Sequence, residues 1–82
     1  MSIVAVYDRG THELVDKIEV KARHHVTNYQ AMIFWRGITK IEFGETMSAA
    51  IQKVYERFSS LRVLGRYEFR LVSSATDSAT LR

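Results

Sequence analysis

Apolar and polar residues alternate along this chain in one pattern that recurs three times: a basic residue, an apolar one, Glu, and another apolar one. The copies are Lys17-Ile18-Glu19-Val20, Lys40-Ile41-Glu42-Phe43 and Arg66-Tyr67-Glu68-Phe69. Successive side chains of a strand point to opposite faces, so each copy predicts a strand with an apolar pair on one side and a charge pair on the other. Set side by side, the three predict a sheet with one greasy face and one charged face. Four-residue matches are too short to argue a duplicated unit.

The same alternation places other elements. Ile3 to Tyr7 is β-branched and aromatic and predicts a first strand, with Asp8-Arg9-Gly10 supplying a turn. From Leu14 to Ala22 a strand puts Leu14, Ile18, Val20 and Ala22 on one face; Leu14, Ile18, Ala22 and His25 also fit a helical period, so a helix is the alternative. Residues 23–28 are polar and read as a loop. Met32 to Trp35 and Ile38 to Phe43 flank Arg36-Gly37, which predicts a hairpin with a two-residue turn, a short helix over 27–36 being the other reading.

Between 46 and 62 the period changes. Met47, Ala50, Ile51, Val54, Phe58 and Leu61 fall at helical spacing behind Thr46, a suitable N-cap. Tyr67, Phe69 and Leu71 alternate in a closing strand. The expected fold is an α+β two-layer sandwich, a largely antiparallel sheet of four to five strands with the 46–62 helix on one face. Residues 1–72 form the single domain, and 73–82, rich in Ser, Thr, Ala and Asp, read as a disordered tail.

The hairpin carries a consequence for function. With Arg36-Gly37 as the turn, Trp35 opposes Ile38, Phe34 opposes Thr39, Ile33 opposes Lys40 and Met32 opposes Ile41. Directly opposed residues share a face. If Ile41 and Phe43 point to the helix, Met32 and Phe34 join them, and Ile33, Trp35 and Ile38 are forced outward beside Arg36 and Lys40. An exposed Trp between isoleucines, rimmed by charge, is the composition of an interaction surface. The expected partner-binding residues are therefore Ile33, Trp35, Arg36, Ile38 and Lys40.

Composition changes this picture little. The chain has 82 residues, 46% of them apolar, enough for a core in a single small domain. No cysteine is present, so disulfides and thiolate metal sites are ruled out. Residues 1–10 lack a basic region followed by an apolar run, and no stretch reaches the length of a membrane span; a cytoplasmic protein without a membrane partner is expected.

Charge is uneven. The net +3 lies entirely beyond residue 45, where Lys53, Arg57, Arg62, Arg66, Arg70 and Arg82 face only Glu56, Glu68 and Asp77. A nucleic-acid partner is thus the alternative, with Arg57, Arg62, Arg66 and Arg70 as its contacts. Glu68 interrupts that track, and Tyr67 and Phe69 face the expected core, where they could not stack on bases.

Chemistry is scarcely signalled. His24 and His25 are neighbours whose side chains diverge on either a strand or a helix, so no metal site is expected. Ser48, Ser59 and Ser60 have no histidine at an activating distance in sequence, and the isolated glycines build no phosphate loop. No cofactor, catalytic residue or small-molecule substrate is implied. The expectation is a non-enzymatic binding protein that occludes or bridges a site on a larger protein, or pairs with itself. In size and make-up alone, with no shared motif, it resembles the small inhibitors, adaptors and regulators encoded by phages and mobile elements.

Overall fold

A computed structural model describes residues 2–73. Four strands follow one another as a meander: β1 (Ser2–Asp8), β2 (Leu14–His25), β3 (Asn28–Trp35) and β4 (Ile38–Gly44). The helix α1 (Met47–Ser59) and a 3-10 turn (Arg62–Leu64) then lead to β5 (Tyr67–Ser73). The sheet is antiparallel, in the order β4-β3-β2-β1-β5, so the helical segment carries the chain from one edge to the other. The expected α+β sandwich is the observed one: a curled five-stranded sheet with one main helix on its inner face.

Each element has a local cause. Thr46 caps α1 as expected, its hydroxyl accepting from the Ala49 amide at 3.0 Å. Ala50, Val54 and Phe58 repeat along the buried stripe of the helix. The helix stops at Ser59, short of the expected 62, and Leu61 packs on the core from the loop beyond it. The Arg36-Gly37 turn forms with positive φ at both residues, the backbone that matches the twist of a two-residue hairpin. Its register is the expected one, Trp35 opposite Ile38 and Met32 opposite Ile41.

The segment 23–28, expected to be a loop, is instead mostly strand. β2 runs on to His25 and β3 begins at Asn28, leaving only Val26 and Thr27 to turn. Val26 takes φ 54°, a left-handed conformation that β-branched residues resist, so no turn signal marks the place. The tail reading for 73–82 lies outside the described residues except for Ser73, which ends β5.

β2 changes partners midway. Residues up to Val20 pair with β1, and from Lys21 onward the strand pairs with β3. Past Met32, β3 therefore leaves β2 and curls over the inner face toward β5. Trp35 lands there with its ring 5.1 Å from Tyr67 and 5.9 Å from Phe69, both edge-on. Its indole N–H donates to Asp16 Oδ2 at 2.7 Å. Arg36 closes the tip, donating to the Tyr67 hydroxyl at 2.8 Å with its guanidinium 4.4 Å over the Trp35 ring.

The core is Val4, Val6, Ile18, Val20, Ala31, Ile33, Trp35, Ala50, Val54, Phe58, Leu64 and Phe69. Ile33 is fully buried and Trp35 is 5% exposed, which reverses the expected facing of the second hairpin. The register is right and the face is wrong. Two of the three recurring stretches point their apolar pair inward; in β4 the order inverts, with Lys40 and Glu42 beneath the helix flank and Ile41 and Phe43 outside. Gly44 shows why. A Cβ built on it would lie 2.6 Å from the Ala50 nitrogen and 2.9 Å from the Ala49 carbonyl carbon, so helix and strand meet at its inner side. Alternation back from Gly44 then assigns Glu42, Lys40 and Ile38 to the inner face.

A candidate protein-binding surface

The outer face of the sheet divides in two. Over β1, β5 and the first half of β2 polar side chains cover its centre, and Leu14 and Val72 are exposed singly at its ends. Ala5, although on this face, is only 6% exposed, because Lys17 and Arg70 stand directly opposite it on either side. Arg70 lies 4.7 Å over the Tyr7 ring and pairs with Glu68 at 3.3 Å. Over β3 and β4 no such cover exists among the described residues. Phe34 is 59% exposed, Ile41 43% and Phe43 41%.

These three residues and the half-buried Met32 are contiguous. Met32 opposes Ile41, Phe34 opposes Thr39 beside it, and Gln30 opposes Phe43. Lys21 opposes Met32 from β2, and Arg23, whose Nε donates to Gln30 Oε1 at 3.3 Å, stands one pair further along. His25 lies edge-on to Phe43 with ring centroids 5.3 Å apart. A shallow hollow of about 350 Å³ opens beside the patch where β3 leaves β2, with Lys17, Glu19, Lys21, Met32 and Phe34 in its wall. The result is an apolar surface with a basic margin on its β2 side.

The residues expected to bind a partner fall elsewhere. Ile33 and Trp35 belong to the core and Ile38 packs against it, so none of the three forms an outer patch. Lys40 is half-buried on the inner face, and Arg36 is exposed at the hairpin tip but engaged with Tyr67 and Trp35. The exposed patch lies on the expected pair of strands but on their opposite side. A signal was present in β3: Tyr29, Ala31, Ile33 and Trp35 are all apolar or aromatic, whereas Asn28 and Gln30 share the other face with Met32 and Phe34.

The four arginines of the alternative reading do not share a surface. Arg57 projects from α1 and lies 3.8 Å from Glu42 on the inner side, while Arg70 is on the outer face. Arg62 sits in the 3-10 turn, and Arg66 lies 3.5 Å from Asp8 beside the strand ends. His24 and His25 diverge to opposite faces, one ring against Tyr29 and the other against Phe43.

Two carboxylates are held below their ordinary pKa. Asp8 is lowered by the Thr11 and Gly10 amides that donate to it, and further by Arg66. Asp16 is lowered by the Trp35 indole, then by the Lys17 amide and the nearby Arg36 charge. Both shape turns and the hairpin tip, away from the exposed patch.

A groove of about 790 Å³ remains on the inner face, where α1 leaves Ala22 and Leu71 half-buried beside Met47 and Ile51. Met47, the first residue of the expected helical stripe, overhangs it and is therefore 43% exposed. No helix among the described residues is long and apolar enough to cross a membrane. The chain matches no protein family, no curated protein and no solved structure with which it was compared.

Proposed function

We propose that this chain is a small non-enzymatic binding domain that acts by protein–protein contact, in the manner of an inhibitor or adaptor. The observation that carries the reading is the contiguous exposed patch of Phe34, Ile41 and Phe43; the other exposed apolar residues of the outer face, Leu14 and Val72, stand singly. Three large apolar side chains contiguous on a domain this small have a clear energetic reason to be covered, and aromatic residues dominate the centres of interfaces. Lys21 and Arg23 at the margin favour a partner with an apolar ridge flanked by carboxylates. Docking there would occlude or bridge a site on a larger protein. The dispersal of Arg57, Arg62, Arg66 and Arg70 over both faces and the loops favours this reading over a nucleic-acid track.

The test is capture from host lysate with tagged wild type and with a Phe34→Thr/Phe43→Thr variant, each with and without nuclease. Threonine keeps strand propensity while removing the aromatic surface. A partner retained after nuclease and lost from the folded variant is the expected result. Equal recovery by both proteins, or release of all partners by nuclease, overturns the reading.

A further inference from the structure

We infer that two copies of this chain pair through β4, antiparallel and edge to edge about a two-fold axis at Ile41. The backbone groups of β4 that β3 leaves free set the geometry. Trp35 and Ile38 close a two-residue hairpin and so exchange hydrogen bonds as a pair. Alternation then directs the amides and carbonyls of Ile38, Lys40, Glu42 and Gly44 to β3. Those of Thr39, Ile41 and Phe43 point to the edge of the sheet, where no strand follows among the described residues.

An antiparallel partner centred on Ile41 matches all of these groups. Ile41 meets Ile41 of the second copy, and Thr39 meets its Phe43, so every outward-facing residue opposes another outward-facing residue. No other centre within β4 uses all three. The same register has a consequence on the inner face. Lys40 stands directly opposite Glu42 of the second copy, and Glu42 opposite its Lys40. A basic and an acidic residue two apart, centred on the axis, are self-complementary in the way an isologous two-fold contact requires. Both are half-buried beneath the α1 flank, where charge pairing is less screened than in open water.

The outer face agrees. Pairing places the two copies of Ile41 together and runs the Phe34, Ile41 and Phe43 patches into one surface across the axis. It does not cover that surface, so the inference extends the reading of the outer face without requiring its partner.

Sedimentation velocity over a concentration series tests it, with circular dichroism confirming that each variant is folded. Wild type is expected to be a concentration-dependent dimer. Lys40→Glu opposes Glu to Glu twice per dimer, and Glu42→Lys opposes Lys to Lys; each is expected to weaken association at least about tenfold. The exchanged variant Lys40→Glu/Glu42→Lys, made together with Arg57→Glu so that residue 42 keeps an opposite charge beside it in its own chain, restores both opposite-charge pairs and is expected to recover the dimer. Ile41→Pro deletes an edge amide that β3 does not use, and is expected to be monomeric. Phe34→Thr should leave the dimer intact. A wild type that stays monomeric, or a folded exchanged variant no better than the singles, overturns edge pairing. So does a dimer abolished by Phe34→Thr and indifferent to the charge exchange, although that result leaves the outer face as a binding surface.

Discussion

Replacing Trp35 with alanine provides the sharpest check on the facing of the second hairpin, because its neighbour Phe34 lies on the same strand and the opposite side. Trp35 is 5% exposed, stacks edge-on against Tyr67 and Phe69, and bonds Asp16; Phe34 is 59% exposed. Truncating a buried Trp to Ala typically costs about 3–5 kcal/mol, the lost transfer energy plus the cavity left behind. A domain of this length has a total stability of roughly 4–12 kcal/mol, at about 0.05–0.15 kcal/mol per residue. The substitution therefore removes a large fraction of the margin. At about 4–8 °C per kcal/mol for small domains, the midpoint of thermal unfolding should fall by at least about 12 °C, or the variant should not fold. Phe34→Thr, an exposed exchange between good strand formers, should stay within about 0.5 kcal/mol and move the midpoint by less than about 4 °C. The assay is thermal unfolding followed by far-ultraviolet circular dichroism, since Trp35 is the single tryptophan and its loss removes the fluorescence signal. Equal midpoints for Trp35→Ala and wild type, or a larger loss for Phe34→Thr, would refute the inward facing and with it the exposed patch.

Two further outcomes follow from local geometry. Gly44→Ala forces a Cβ against the backbone of Ala49 and Ala50, and should destabilise by about 1–3 kcal/mol, read from chemical denaturation midpoints at unchanged slope. Asp8 and Asp16 have folded pKa values below their ordinary ones, so their stabilisation is complete above the ordinary aspartate value of about 3.9 and disappears as pH falls through the lower folded values. Trp35→Phe removes the main cause for Asp16, and its melting temperature should decline less steeply than wild type below about pH 4; parallel declines would show that the indole bond does not hold the carboxylate down.

The elements of this fold were legible because their periods are clean. The Thr46 cap, the Arg36-Gly37 hairpin and the Ala50, Val54 and Phe58 part of the α1 stripe stand where the sequence places them, whereas Met47 is exposed and Leu61 lies past the end of the helix. What misled was the reading of β4 by analogy with two similar stretches. Lys40-Ile41-Glu42-Phe43 alternates equally well with either face inward, and only contacts outside the strand decide between them. Those contacts are the closeness of the helix at Gly44 and the all-apolar set of β3 from Tyr29 to Trp35. An edge strand tolerates charges under the helix margin because their ends still reach water, as Glu42 does on its way to Arg57. The turn at Val26 and Thr27 was illegible for another reason: its backbone demands a residue type the sequence does not supply. The exposed patch became visible only once the facing was settled, since its members are the residues first assigned to the core.

The far margin of the sheet has a bearing on how many molecules could ever join. The Arg9 amide donates to the Arg66 carbonyl, so along β5 the even-numbered residues face β1 and the odd-numbered ones face outward. Two of those outward carbonyls are already occupied, Tyr67 by the Arg9 guanidinium at 2.9 Å and Phe69 by the Tyr55 hydroxyl at 2.8 Å. A strand arriving there would have to displace both. These two bonds blunt the β5 edge against strand addition, so the two-fold pairing inferred through β4 would close on itself as a finite particle rather than extend into a filament.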